Sequence, residues 1–260
     1  MCTVSWLHGP AGYDVFFNRD ERPSRATGLA PMPGESGGVR WLAPRDSEAM
    51  GTWIGANEFG ITLALANRYG ESPAHDPPEG KWVSRGHLVL SLLGLRTIEK
   101  LTGTLGKPRT LKPLMTAEAD LTLAEVPLTR YRPFTLLGFA PERPVTLLAW
   151  DGVSLNRASV DAPGHVLSSS GADQDAAARL RSALFEEAAR RGPLTPEAME
   201  ALHRGHEPER GPLSICMHRP EAGTVSFTRV RVSPDQVELH YVPGPPCVTT
   251  ERITATLPLV

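Results

Sequence analysis

Cysteine is scarce in this chain. Its 260 residues hold three, Cys2, Cys216 and Cys247, an odd number with no C-x-x-C pair, which excludes a disulfide framework and offers no thiolate zinc signature. Excess charge is lacking too: 27 basic and 29 acidic residues lie interspersed and sum to −2. Nothing there builds a footprint for nucleic acid or anionic lipid. No uninterrupted apolar run reaches the roughly 18 residues of a membrane span, and no basic-then-apolar leader opens the chain. A cytoplasmic chain without a transmembrane segment is expected. Gly34-Glu35-Ser36-Gly37-Gly38 lacks a Gly-Lys-Ser/Thr ending and no G-x-S-x-G elbow occurs, so neither a P-loop nor a serine nucleophile elbow is available.

What is present reads as a single domain over residues 1–260, long enough for a large core. Strand-like segments come first: Cys2–His8, Tyr13–Asp20, Val39–Ala43, Gly51–Ala56 and Ile61–Asn67, with Asn57-Glu58-Phe59-Gly60 as a turn. Arg22–Gly38 and Gly70–Gly80 read as loops rich in Pro and Gly. Leu88, Leu92 and Leu95 predict a helix and Thr97–Leu105 a second, before strands at Phe134–Phe139, Val145–Trp150 and Val166–Ser168. Gln174–Arg191 predicts a long helix, capped by Asp173, with Ala177, Leu180, Leu184 and Ala188 as its apolar stripe. Pro196–His203 predicts another, capped by Thr195, and the tail returns to strands at Leu213–His218, Thr224–Val232 and Gln236–Val242. Blocks of strands and helices, not β-α-β alternation, argue for an α+β layered domain with largely antiparallel sheets.

The chemistry concentrates at the N-terminus. A small second residue permits removal of Met1, which would give Cys2 a free α-amine with a reference pKa of about 7.7 to 8.0, able to accept the thiol proton. Such a site also needs a carboxylate to orient the amine, a cation to favour the thiolate and amide donors for an oxyanion. Turning the first hairpin at Gly9-Pro10-Ala11-Gly12 pairs His8 with Tyr13 and sets Cys2 opposite Arg19; a one-residue slip would bring Asp20 there. Either register places Cys2 beside Asn18-Arg19-Asp20-Glu21, so Asp20 or Glu21, Arg19, and Asn18 or Asn67 supply the three types.

Elsewhere, Glu200, His203 and His206 are spaced three apart but read as a solvated helix end, and no metal site is expected. Cys216 and His218 share a strand face and read as a core thiol beside an edge histidine. Trp6, Trp41, Trp53, Trp82 and Trp150 are scattered and read as core or pocket wall.

Met1-Cys2-Thr3, the run Phe17-Asn18-Arg19-Asp20-Glu21-Arg22-Pro23 and Gly51-Thr52-Trp53-Ile54-Gly55-Ala56-Asn57-Glu58-Phe59-Gly60 ending in Asn67-Arg68 resemble the NRDE family, which includes the eukaryotic transport-and-Golgi-organisation proteins. That family is in turn similar to N-terminal nucleophile hydrolases of the penicillin V acylase, bile salt hydrolase and acid ceramidase type. The resemblance implies a four-layer αββα fold, Cys2 as nucleophile, Asp20 orienting its amine, Arg19 stabilising the thiolate and Asn67 as oxyanion donor. Asn18, Glu21, Asn57 and Ser169 are its supporting or substrate-binding candidates. Two positions depart from the hydrolase pattern: Phe17 stands where those enzymes carry Arg, and Ser169 where they carry Asn. Two functions follow. One is an amidohydrolase acting on a small or lipid-like acyl substrate, with no cofactor. The other is a non-catalytic protein binding haem or an acyl-lipid such as acyl-coenzyme A on the same fold. Oligomeric state is not readable.

Overall fold

A computed structural model of the chain describes residues 2–69, 76–77, 80–104, 126–169 and 173–260. Along the chain run β1 (Cys2–Gly9), β2 (Gly12–Glu21), β3 (Leu29–Ser36), β4 (Val39–Arg45), β5 (Ile54–Asn57), β6 (Thr62–Asn67), α1 (Arg85–Leu92) and α2 (Glu99–Thr104). Next come β7 (Phe134–Phe139), β8 (Val145–Trp150), β9 (Leu155–Val160), β10 (Gly164–Ser169), α3 (Gln174–Arg191) and α4 (Pro196–Arg204). The chain closes with β11 (His218–Arg219), β12 (Ala222–Val232), β13 (Gln236–Val242) and β14 (Ile253–Pro258).

The strands form two sheets of seven, antiparallel at every pairing among the described residues. One has the order β10-β1-β2-β12-β13-β14, with β11 beside β12; the other runs β3 to β9 in chain order. Val4, Trp6, Val15 and Phe17 pack between the sheets against Ile54, Ala64 and Leu137. Leu88 and Leu92 of α1 cover the outer face of the β3–β9 sheet with Leu63 and Leu136. Phe185 of α3 and Met199 of α4 cover the other with Phe16 and Phe227. The result is the four-layer αββα sandwich.

Each layer follows from strand alternation, since successive side chains point to opposite faces. Thus Cys2, Val4 and Trp6 enter the space between the sheets, while the buried hydroxyls of Thr3 and Ser5 meet Arg181 and His203 from the helix layer. The first hairpin turns on Gly12 at φ 119°, where a Cβ would stand 1.9 Å from the Val232 carbonyl oxygen. Only glycine fits there.

Several boundaries differ from those read in the sequence. The expected Arg22–Gly38 loop contains β3, whose two prolines and alternating exposure suit an edge strand. β9, mostly exposed and polar, gives no apolar alternation to detect, whereas β14 alternates Ile253, Ala255 and Leu257 with threonines and is not among the expected strands. Of the Leu213–His218 strand only His218 pairs, because the segment before it bends to accept hydrogen bonds from Arg181 of α3 and Asn18 of β2. In α3 the buried stripe is Ala177, Arg181 and Phe185, rotated from the expected one, with an arginine at its centre. Most of Gly70–Gly80 and the end of Thr97–Leu105 lie outside the described residues.

Candidate active site

The register sets the site. Cys2 lies opposite Arg19 on β2 and opposite Ser169 on β10, so the first hairpin delivers the pairing its turn predicts. A bulge in β12 falls where Thr224 faces Asp20 and Ser226 faces Arg19. Bulges bend and twist a strand locally, and here Cys2, Arg19, Asp20 and Glu21 all reach one cavity of about 330 Å3. Asn67, at the end of β6 in the other sheet, lines the same cavity. Five expected site residues therefore converge there.

The Cys2 thiol is buried, and burial pushes its pKa up despite a backbone N–H of Asp20 at the sulfur and the charge of Arg19. A protonated thiol needs a base before it can attack anything. Burial likewise raises the Asp20 carboxyl, opposed by the charge of Arg181, by a 2.7 Å hydrogen bond from the Thr224 hydroxyl and by Arg219. Arg181 donates to the Thr3 hydroxyl at 2.8 Å and to the Leu213 and Ser214 carbonyls at 3.1 and 2.8 Å. This places a fixed, buried cation behind the carboxyl.

Arg19 shares the Phe17 face of β2, as alternation requires, but its guanidinium is engaged. It donates to Asp46 at 2.6 Å and lies 4.5 Å over the Trp53 ring. Asp46 also takes a two-pronged bond from Arg25 at 2.9 Å on each side. Burial by itself would raise the Asp46 pKa; the bonds from Arg25 and the Ala49 N–H, with the charges of Arg25 and Arg19, hold it below the usual range. Glu21 sits at the rim, 3.9 Å from Arg19 and 3.6 Å from Arg25.

Three supporting candidates take other roles. Asn18 points to the helix layer, where its amide donates to the His203 and Ile215 carbonyls at 2.9 and 3.0 Å. Asn57 is fully buried: it donates to the Leu93 and Leu95 carbonyls and accepts from the N–H groups of Phe59 and Ile61, clamping the β5–β6 turn to the end of α1. Neither is among the residues that line the cavity, and of the two roles expected for them, supporting or substrate-binding, these bonds are of the supporting kind. Ser169 gives its hydroxyl proton to the Asn67 carbonyl, joining the two sheets beside Cys2. A hydroxyl has one proton to donate, and here it goes to the Asn67 backbone. Among the described residues the Asn67 amide donates to the exposed Tyr69 hydroxyl, at 3.2 Å, through one of its two N–H groups.

Sequence reasoning missed Arg181, Asp46 and Arg85. The Ala177, Arg181, Phe185 spacing of four was the available signal for the first; Asp46, on an irregular loop, had none. Arg85 opens α1 at the cavity wall and donates to the Pro133 carbonyl at 2.7 Å, its pKa lowered by burial. Trp53 and Trp82 line the cavity; the other three tryptophans are buried in the core. The Glu200, His203 and His206 trio does not converge. Glu200 pairs with Arg229 and Arg252, and His203 is buried, not solvated. His206 instead meets Cys216, His218 and Cys247, with one ligand atom from each within 4.8 Å of the others.

Among solved structures, a cysteine-to-alanine variant of conjugated bile acid hydrolase from Clostridium perfringens resembles the chain over 98% of its length and 92% of that protein, with TM-score 0.57 and 11% identity. Penicillin V acylase from Agrobacterium tumefaciens resembles it over 94% and 83%, with TM-score 0.50 and 11% identity. At that identity the likeness establishes the fold, that of the N-terminal nucleophile hydrolases. No curated protein sequence matches the chain. No described helix is long and apolar enough to cross a membrane. Residues 1–211 match the family described as Transport and Golgi organisation 2, and the chain belongs to that family.

Proposed function

We propose that the chain is a cysteine N-terminal nucleophile hydrolase cleaving a non-peptide C–N bond in an amide of a small or lipid-like acyl group. The observation that carries the reading is the register of Cys2 between Arg19 and Ser169, at a cavity shared with Asp20 and Asn67. Once Met1 is removed, the Cys2 amine takes the Sγ proton and the sulfur attacks the carbonyl carbon. The Asn67 amide and a backbone N–H hold the oxyanion. Collapse breaks the C–N bond as the ammonium passes its proton to the leaving nitrogen. Water, deprotonated by the same amine, then cleaves the thioester to carboxylic acid and thiol. Asp20, backed by Arg181, orients the amine, and Arg19 adds positive charge on the cavity side. No cofactor enters this sequence.

Intact-mass measurement of the purified chain, before and after a thiol-acylating probe, tests the reading. Loss of Met1 and labelling of Cys2 ahead of Cys216 and Cys247 are expected, and Cys2→Ala should abolish both labelling and turnover of a panel of acyl anilides. Retention of Met1, or full turnover by the variant, refutes it. Saturable haem or acyl-coenzyme A binding without a thioester at Cys2 would favour a carrier on the same fold.

A further inference from the structure

Two cysteines and two histidines that the site at Cys2 does not use come together at the exit of α4. His206 Nε2 lies 3.2 Å from His218 Nε2, and His218 Nε2 lies 3.6 Å from Cys216 Sγ and 3.5 Å from Cys247 Sγ. In a tetrahedral zinc site, with Zn–N about 2.0–2.1 Å and Zn–S about 2.3 Å, the N···N edge is about 3.3 Å and each N···S edge about 3.6 Å. The three measured edges match that figure. We propose that His206, Cys216, His218 and Cys247 form a structural zinc site of the Cys2His2 type.

The donor set selects the metal class. Two thiolates and two imidazoles suit a borderline-soft cation with tetrahedral geometry, whereas magnesium and calcium require oxygen ligands. All four positions are protein atoms, so no coordination site is open for water or substrate, which marks a structural role. The charges balance: each thiol releases its proton on binding, and two thiolates neutralise a divalent ion.

The backbone holds the ligands in place. The Cys216 N–H donates to the Gly205 carbonyl at 3.1 Å, which keeps Cys216 beside His206. The His218 N–H donates to the Gly211 carbonyl at 3.1 Å, and the turn carrying Cys247 closes on the Pro245 carbonyl through Val248 and Thr249. Burial and the adjacent Cys247 thiol push Cys216 up to about 12. Burial, with the charges of Arg210 and His206, keeps His218 neutral to lower pH than usual, the form in which imidazole binds metal. His218 Nδ1 faces the exposed Arg210 guanidinium at 3.3 Å; metal at Nε2 leaves the proton on Nδ1, so Arg210 turns away on loading. Such a site would pin the 205–218 segment, whose Leu213 and Ser214 carbonyls hold Arg181 and whose Met217 N–H meets Thr224, the partner of Asp20.

The test uses the full chain, stripped with a chelator and titrated with zinc, and separately with cobalt as a spectroscopic probe. One equivalent of zinc, a cobalt spectrum with tetrahedral visible bands and thiolate charge transfer, and a higher Tm with zinc are expected. Cys247→Ser should weaken binding beyond the roughly 10–100-fold that outer-shell changes cost, whereas Cys2→Ala should bind zinc as the parent does. The parent spectra carry the test if Cys247→Ser fails to fold. Substoichiometric zinc, cobalt bands without thiolate character, a Cys216–Cys247 disulfide in the zinc-treated chain, or undiminished binding by folded Cys247→Ser overturns the proposal. None of these outcomes depends on the chemistry at Cys2.

Discussion

His203 gives the chain a pH dependence whose size follows from its surroundings. The Asn18 amide nitrogen faces two carbonyl oxygens and must donate to both, which leaves Asn18 Oδ1 to accept from His203 Nδ1–H at 3.0 Å. The Ser5 hydroxyl, 2.7 Å from Nε2, then donates to that nitrogen. The ring is buried between Phe16 and Phe227. Burial first, then the charge of Arg181, lower its pKa from 6.5 to about 3, with Glu200 opposing. Because the folded state keeps this ring neutral while the unfolded state protonates near 6.5, the contribution is fully present above pH 6.5 and is lost as pH falls toward 3. The slope is about 1.4 kcal/mol per pH unit, so about 2 kcal/mol is gone at pH 5. His8, His165, His218 and His240 are also shifted down and add slope of the same sign. A comparison with His203→Gln isolates the one ring. Urea unfolding at intervals from pH 8 to 5 should show the variant about 1–3 kcal/mol less stable at pH 8 but converging on the parent as pH falls. Parallel curves would refute the burial argument.

Two further substitutions probe the cavity walls. Arg181→Met strands three acceptors and leaves Asp20 without its buried cation, so about 3–5 kcal/mol of stability and on the order of 10 °C in Tm should be lost; a loss under about 1 kcal/mol by calorimetry or urea melts would show that water replaces the guanidinium. Asp46→Asn removes the anion that holds Arg19, leaving more positive charge for Cys2. The pH midpoint for alkylation of Cys2, followed by peptide mass, should move down, and an upward or absent shift would exclude Arg19 from the thiolate's field.

Legibility in the sequence tracked locality. The hairpin register was readable because a tight turn and period-two alternation determine which residues face each other, and Cys2 falls opposite Arg19 as counted. Helix α3 was equally plain, since Asp173 caps it through the Ala176 N–H and Gly192 follows it. What stayed hidden was long-range or unpatterned. Edge strand β3 carries prolines, β9 is polar, and the approach of Asp46 to Arg19 depends on a loop between sheet strands. The gathering of His206 and Cys216 with Cys247 joins two sequence regions 31 residues apart, and no short spacing rule spans them. Family resemblance singled out Cys2, Arg19, Asp20 and Asn67, which line one cavity, but gave no sign that Asn18 and Asn57 turn away from it.

The run from Asn18 to Glu21 shows why. Written as four letters it looks like one functional unit, yet the pleat and one bulge send its members to different places. Asn18 turns to the helix layer and ties β2 to α4 through His203 and to the 205–218 segment through Ile215. Arg19 turns between the sheets, clamped by Asp46 over Trp53. Asp20, opposite the bulge, is held by Thr224 and sits near Arg181 on one side and the Cys2 end of β1 on the other. Glu21 ends the strand at the rim. A buried amide latch, a stacked cation, a carboxyl between two layers and a rim anion are separate physical demands. They coincide in sequence because a single strand crosses from the helix layer's neighbourhood to the cavity mouth. The motif therefore reports the geometry of a scaffold as much as chemistry, and the bond cleavage proposed above runs through Cys2 and Asn67, which lie outside it.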